Sequence, residues 1–204
     1  MNRTLLFIIA LLGLLLFNSC KDEEPKEKDI PVKMIPKLKN LTGISPEDAK
    51  QTIISWGYTH LVSEDYGQNI TMHSFESKPP SSSYLLYEKN NVIYLCEYNE
   101  NTNKTNALER FEQFSGQSIE YMKDKTYTYE GYSKDNDYQT TTYLTHQAFK
   151  DYYLANKTEL QSCSETWEGI EEKITTQYKV NYESYKTYIS YTDKLHAPIG
   201  EFKK

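Results

Sequence analysis

The sequence predicts an α+β fold, an antiparallel sheet built of hairpins with about three short helices packed on one face. Three observations predict it. Apolar and aromatic residues alternate with polar ones over several stretches between Tyr58 and Tyr191, which is the period of a half-buried strand. Between these stretches lie shorter ones with apolar residues at helical spacing, each opened by a capping residue. Pairs such as Tyr66-Gly67 and Asn90-Asn91 separate neighbouring strand patterns, and such residues tolerate the left-handed geometry of tight turns.

The first helix opens at Ser45-Pro46-Glu47-Asp48. Ser45 can cap free amides, Pro46 suits the first helical position, and the two acids complement the positive end of the dipole. Ala49, Ile53, Ile54 and Trp56 form its apolar stripe, and Gly57 offers the stop. Tyr58–Glu64 and Asn69–Phe75 follow as a hairpin around Tyr66-Gly67. A two-residue turn there sets Leu61 opposite Met72, Ser63 opposite Ile70 and His60 directly across from His73, with the Leu61 face buried. Ser83–Lys89 and Val92–Tyr98 form a second hairpin around Asn90-Asn91, with Leu86 opposite Leu95 and Tyr87 opposite Tyr94.

A second helix is expected over Lys104–Ser115, with Gly116 after it. Strands at Tyr121–Tyr132 and Tyr138–Leu144 precede a third helix capped by Thr145, carrying Ala148, Phe149, Tyr152 and Tyr153. Gln161–Glu172 reads as a polar loop. Lys173–Tyr182 and Tyr185–Tyr191 close the sheet as a last hairpin, and residues after Asp193 read as a tail. The recurrence of a helix followed by paired strands suggests an internally repeated α-β-β unit.

Before the globular region, Arg3 and the apolar run Leu5–Phe17 have the make-up of a signal peptide, too short to span a bilayer comfortably. Phe17-Asn18-Ser19-Cys20 resembles a bacterial lipobox, which implies cleavage before Cys20 and acylation of that cysteine; Phe17 and Asn18 depart from the usual aliphatic and small residues. Lys21-Asp22-Glu23-Glu24 resembles the acidic export signal of surface-exposed lipoproteins of the Bacteroidota. The resemblance covers the targeting segment alone. It implies an outer-membrane lipoprotein held by acyl chains on Cys20 and facing the cell exterior. The expected organisation is therefore a signal peptide (1–19), the lipidated cysteine with a charged, proline-broken tether (20–43), and one globular domain (44–204).

The chain has 23 basic and 29 acidic residues; removing residues 1–19 takes away Arg3 alone, leaving 22 − 29 = −7. That balance lacks the basic patch nucleic acid would require. Cys96 and Cys163 remain after acylation of Cys20, and either pair as a disulfide or stand apart as two buried thiols.

Tyrosine is the residue that most invites a ligand, with 19 in the chain against two tryptophans. A Tyr-lined sheet at a cell surface suits a glycan or a protein partner. In the last hairpin, however, a turn at Glu183-Ser184 places Tyr182 opposite Tyr185 and Tyr178 opposite Ile189, on the face of Ile174, so most of these rings point inward. No nucleophile elbow, zinc helix, phosphate loop or Cys-x-x-Cys pair is present, and no cofactor is expected. Two function classes stand. One is a lipid-anchored binding or interaction module for a glycan, an extracellular protein or a toxin; the other is a surface hydrolase or accessory factor using Glu165, Glu168, Glu171 and Glu172 as paired carboxylates. His60 and His73 form a weak candidate metal site, two side-by-side imidazoles without an evident third ligand.

Overall fold

The computed structural model describes residues 33–78, 81–181 and 184–198. The expected signal peptide, Cys20, Lys21–Glu24 and the tether as far as Val32 lie outside the described residues, as do Tyr182, Glu183 and the end of the tail. Among the described residues nine strands form one antiparallel sheet: β1 (Thr59–Asp65), β2 (Ile70–Glu76), β3 (Ser82–Lys89), β4 (Val92–Thr102), β5 (Thr128–Asp135), β6 (Thr140–Tyr143), β7 (Leu160–Glu168), β8 (Glu172–Asn181) and β9 (Ser184–Asp193), in the order β1-β2-β3-β4-β9-β8-β7-β5-β6. Four helices accompany it: α1 (Met34–Lys39), α2 (Pro46–Ser55), α3 (Lys104–Met122) and α4 (His146–Asn156). The element order does not alternate as α-β-β. Two helices precede four strands, and later helices precede two strands and then three.

Alternate residues of the central strands share one face: Phe75, Tyr84, Leu86, Cys96, Ile189, Tyr191, Ile174, Tyr178, Cys163 and Trp167, all buried. The helices supply the opposing surface, α1, α2 and the C-terminal part of α3 over one end, the rest of α3 with α4 over the other. The opposite face carries no helix among the described residues. Cys96 and Cys163 are separate buried thiols.

Helix α1 corrects the expected tether. Met34, Ile35, Leu38 and the following Leu41 are all buried, an apolar stripe worth several kcal/mol at about 25 cal/mol per Å² removed from water. Pro36 sits in the first turn, where its missing amide costs no helical bond. Residues 33–43 therefore belong to the folded region. Helix α2 forms as its sequence requires, with Ser45 Oγ accepting from the Asp48 amide at 3.2 Å.

Helix α3 runs through Gly116 to Met122 and absorbs the start of the strand expected at Tyr121. Phe111, Phe114, Ser118 and Met122 continue one buried stripe past the glycine, and that packing outweighs the glycine's penalty of about 1 kcal/mol. Strand β7 replaces the expected loop at Gln161–Glu172, because Cys163, Glu165 and Trp167 alternate inward.

Three hairpins differ instructively from their expected registers. Between β3 and β4 the Asn90-Asn91 turn forms with both residues at positive φ, but a bulge beside Tyr87 moves Leu86 opposite Cys96. Between β8 and β9 the slip is two residues, Tyr178 facing Thr187 and Val180 facing Tyr185; an even slip leaves every side chain on its expected face. The β1–β2 connection spans Tyr66–Asn69, with Gly67, Gln68 and Asn69 at positive φ. His60 consequently faces Phe75, and Ser63 faces His73.

Candidate functional site

The sheet face without helices is polar and grooved. Three cross-strand rows run over its centre: Leu85, Glu97, Ser190 and Thr175; then Asn99, Tyr188 and Gln177; then Lys186 and Lys179. Two adjoining concavities of about 320 and 230 Å³ open here, and both are lined by Glu97 and Tyr188. Lys179 and Lys186 lie directly opposite each other, an arrangement in which like charges destabilise a sheet. Beside them, Asn99 is 3% exposed and its Nδ2 has no hydrogen-bond partner among the described residues. Burial raises the Glu97 pKa, and the Lys186 charge partly offsets that. Burial, reinforced by Glu97, also pushes Tyr188 up to about 12. The larger concavity thus gathers two ammonium groups and amide donors around one compensated carboxylate.

On the helix side, α3 and α4 flank a cavity of about 240 Å³ whose lining includes Phe111, Phe149 and Tyr153 together with Glu165 of β7. Glu165 is 0% exposed. Tyr129 donates its hydroxyl to Oε1 at 2.9 Å, whereas Oε2 has no hydrogen-bond partner among the described residues. Burial pushes the Glu165 pKa up to about 7, against the stabilising pull of Ser115 and Tyr129. His146 Nε2 stands 3.5 Å from Oε1, and burial together with the Lys150 charge lowers the histidine's pKa. Gly131 lies opposite Glu165; a Cβ there would stand 2.7 Å from the Tyr129 hydroxyl and 2.9 Å from the Phe149 ring, so only glycine permits this arrangement.

The acidic run is not assembled into a carboxylate pair. Of its members, Glu165 alone lines this cavity. Glu168 binds Lys194 at 2.8 Å, and Glu172 binds Lys125 at 2.6 Å while accepting from the Tyr191 hydroxyl at 3.4 Å. Glu171 contributes its backbone carbonyl to the Lys194 amide.

The two expected imidazoles do approach, with ring centroids 6.4 Å apart, but not as a solvent-facing, directly opposed pair. His73 is 2% exposed. Its Nδ1 is 2.7 Å from Ser63 Oγ and its Nε2 is 2.9 Å from Glu88 Oε2, while His60 Nε2 meets the same Ser63 hydroxyl at 3.1 Å. Burial lowers the His73 pKa, opposed by the Glu88 hydrogen bond. Both ring nitrogens of His73 are engaged, so a metal would have to displace Ser63 or Glu88. No group of three potential ligands that could hold a metal occurs among the described residues.

Sequence reasoning reached Glu165 only as part of a solvated loop and missed Glu97, Asn99, Lys186, Tyr129 and His146 as site residues. The alternation Cys163–Glu165–Trp167 carried the signal for the first of them, an acid in an inward position between two apolar ones. Comparison with protein-family models, curated proteins and solved structures gives no significant match for this chain.

Proposed function

We propose that the protein is a lipid-anchored cell-surface interaction module that uses its uncovered sheet face to hold an acidic segment of an extracellular protein. The observation that carries this reading is the directly opposed Lys179–Lys186 pair beside the Asn99 amide, whose Nδ2 has no partner among the described residues. Such a pair weakens the isolated sheet, and a carboxylate from outside relieves both the repulsion and the unsatisfied donor. The surrounding Leu85, Leu95, Tyr188 and Gln177 supply the mixed apolar and polar rim common at protein interfaces.

Location rests on the N-terminal segment. No described helix is long and apolar enough to cross a membrane; the acyl chains on Cys20 would provide the anchor. Cys20→Ala is expected to abolish lipid labelling. Joint replacement of Asp22, Glu23 and Glu24 by Ala is expected to leave a lipidated protein shielded from extracellular protease in intact cells, and unchanged accessibility would overturn outward export.

The binding reading is tested by surface-immobilising the protein and titrating a glutamate-rich peptide, a neutral peptide of equal length and a uronate polysaccharide. The acidic peptide is expected to bind in a salt-sensitive manner. Lys179→Ala combined with Lys186→Ala should weaken it about tenfold or more, as loss of a charge-assisted contact does. Preferential binding of the polysaccharide would replace the protein partner by a glycan, and binding insensitive to the double substitution would remove the sheet face.

A further inference from the structure

We propose that the cavity between α3 and α4 is a second, independent binding site, taking a small organic amine whose ammonium group meets Glu165 and whose aromatic or branched body fills the cavity. The carboxyl end is built for a donor. Glu165 lines the cavity, its Oε2 is buried without a hydrogen-bond partner among the described residues, and a buried acceptor left unpaired is costly unless a ligand satisfies it. Its sister oxygen is held in place by the Tyr129 hydroxyl, which fixes the direction in which Oε2 is presented.

The walls fit the rest of such a molecule. Phe111, Phe149 and Tyr153 form a contiguous aromatic cluster, with Phe149 and Tyr153 stacked at 5.9 Å and Phe111 5.3 Å from Tyr153. Aromatic faces attract a cation as well as an apolar body. The mouth is apolar and open, with Ile119 36% and Leu154 55% exposed. Gly116 belongs to the same lining, and a Cβ added there would meet nothing within 4 Å. No packing contact requires a glycine at this point of a helix. Its absent side chain keeps the entrance clear.

The charged and titratable groups facing Glu165 favour a cation over an anion. From α4, His146 is held toward its neutral form and Lys150 lines the rim; from α3 come the Ser115 hydroxyl and Glu112. Glu112 is itself occupied by Lys157 and the Tyr153 hydroxyl. Neither His146 nor Lys150 offsets the burial of Glu165, so the amine supplies the missing charge. Because Glu165 titrates near neutrality, amine affinity should fall about tenfold per pH unit once the pH drops well below 7, while protonation of His146 adds to the loss.

The test uses the whole protein with three ligands of one shape: phenethylamine, 2-phenylethanol and phenylacetate, titrated calorimetrically at neutral pH. Phenethylamine is expected to bind about tenfold or more tightly than the alcohol, the discrimination a hydrogen-bonded charge gives, and the acid is expected not to bind. Glu165→Gln should abolish the preference for the amine. Gly116→Leu, on an exposed helical position that leucine favours, should exclude all three ligands while leaving the unfolding transition in place. Absence of amine binding, equal affinity for amine and alcohol, preference for the acid, or amine binding unaffected by either substitution would each overturn the site. None of these outcomes bears on the lysine pair of the other face.

Discussion

Each face of the sheet holds a desolvated carboxyl, Glu97 on one and Glu165 on the other, and their fates differ. Glu97, on the uncovered face, is pushed toward protonation by burial and pulled back by Lys186. Glu165, on the covered face, has only hydroxyl donors, Ser115 and Tyr129, to oppose its burial, and it ends near 7. Hydrogen bonds from neutral donors do not replace a neighbouring charge in a desolvated place. The uncovered face therefore sets its acid beside a lysine charge, and the covered face keeps an acid that titrates near neutral pH.

The largest expected effect separates the faces as packing surfaces. Tyr178 is buried against α3 and α4 residues, and Tyr178→Ala should cost about 3–5 kcal/mol. Lys179, its neighbour on the other face, is exposed and opposes Lys186, so Lys179→Ala should stay within about 0.5 kcal/mol and tend toward stabilisation. Denaturant melts of the two variants check this, and equal small losses would erase the distinction between the faces.

A pH series sharpens the comparison of the carboxyls. The folded pKa of Glu165 lies above its ordinary value of 4.5 and reaches about 7, so between these values the folded chain holds a proton the unfolded chain has lost. Its contribution to stability is full below about pH 4.5, declines as pH rises toward 7 and is lost above it. The total is on the order of 3 kcal/mol. Glu165→Gln should flatten that part of the stability profile, whereas Glu97→Gln should change it less because Lys186 offsets the burial of Glu97. Identical profiles for the two variants would show that the lysine makes no difference.

Two smaller effects follow. The Tyr178 hydroxyl is buried with no partner among the described residues, so Tyr178→Phe should be neutral or stabilise by up to about 1 kcal/mol; a clear loss in the same melts would reveal a partner for it. At the edge of the sheet, zinc titrated at neutral pH should give no more heat with the parent protein than with His73→Ala, since both nitrogens of His73 are already bonded. Excess heat lost in the variant would restore the two-histidine site.

What could be read from the sequence was local in origin. Ser45 and Thr145 cap their helices as written, and the Asn90-Asn91 pair turns the chain, because each depends on residues within a few positions. Features set by tertiary partners were hidden. The prolines and lysines around Met34 mask a buried stripe, and Glu165 makes a core strand resemble a loop. The β1–β2 register depends on Gln68 and Asn69 both adopting positive φ, which nothing in their identity compels. For the candidate sites, the alternation that put Lys179 opposite the core was legible, but its pairing with Lys186 required the two-residue slip of the last hairpin. The Glu165 cavity required α3 to continue past Gly116, which no local signal announces.

The place of β9 has a consequence for how the chain becomes whole. The central ladder joins Leu95 to Thr192 and Thr102 to Tyr185, so the last strand of the chain completes the middle of the sheet. Contacts so distant in sequence form slowly. Until they form, β4 is an unpaired edge, and the β1–β4 half shares no ladder with the half containing β5–β8. A chain cut before Ser184 would keep that edge permanently bare, offering a template on which other chains can pair. Pairing with β9 thus removes β4 as an edge, leaving β1 and β6 as the edges of the described sheet.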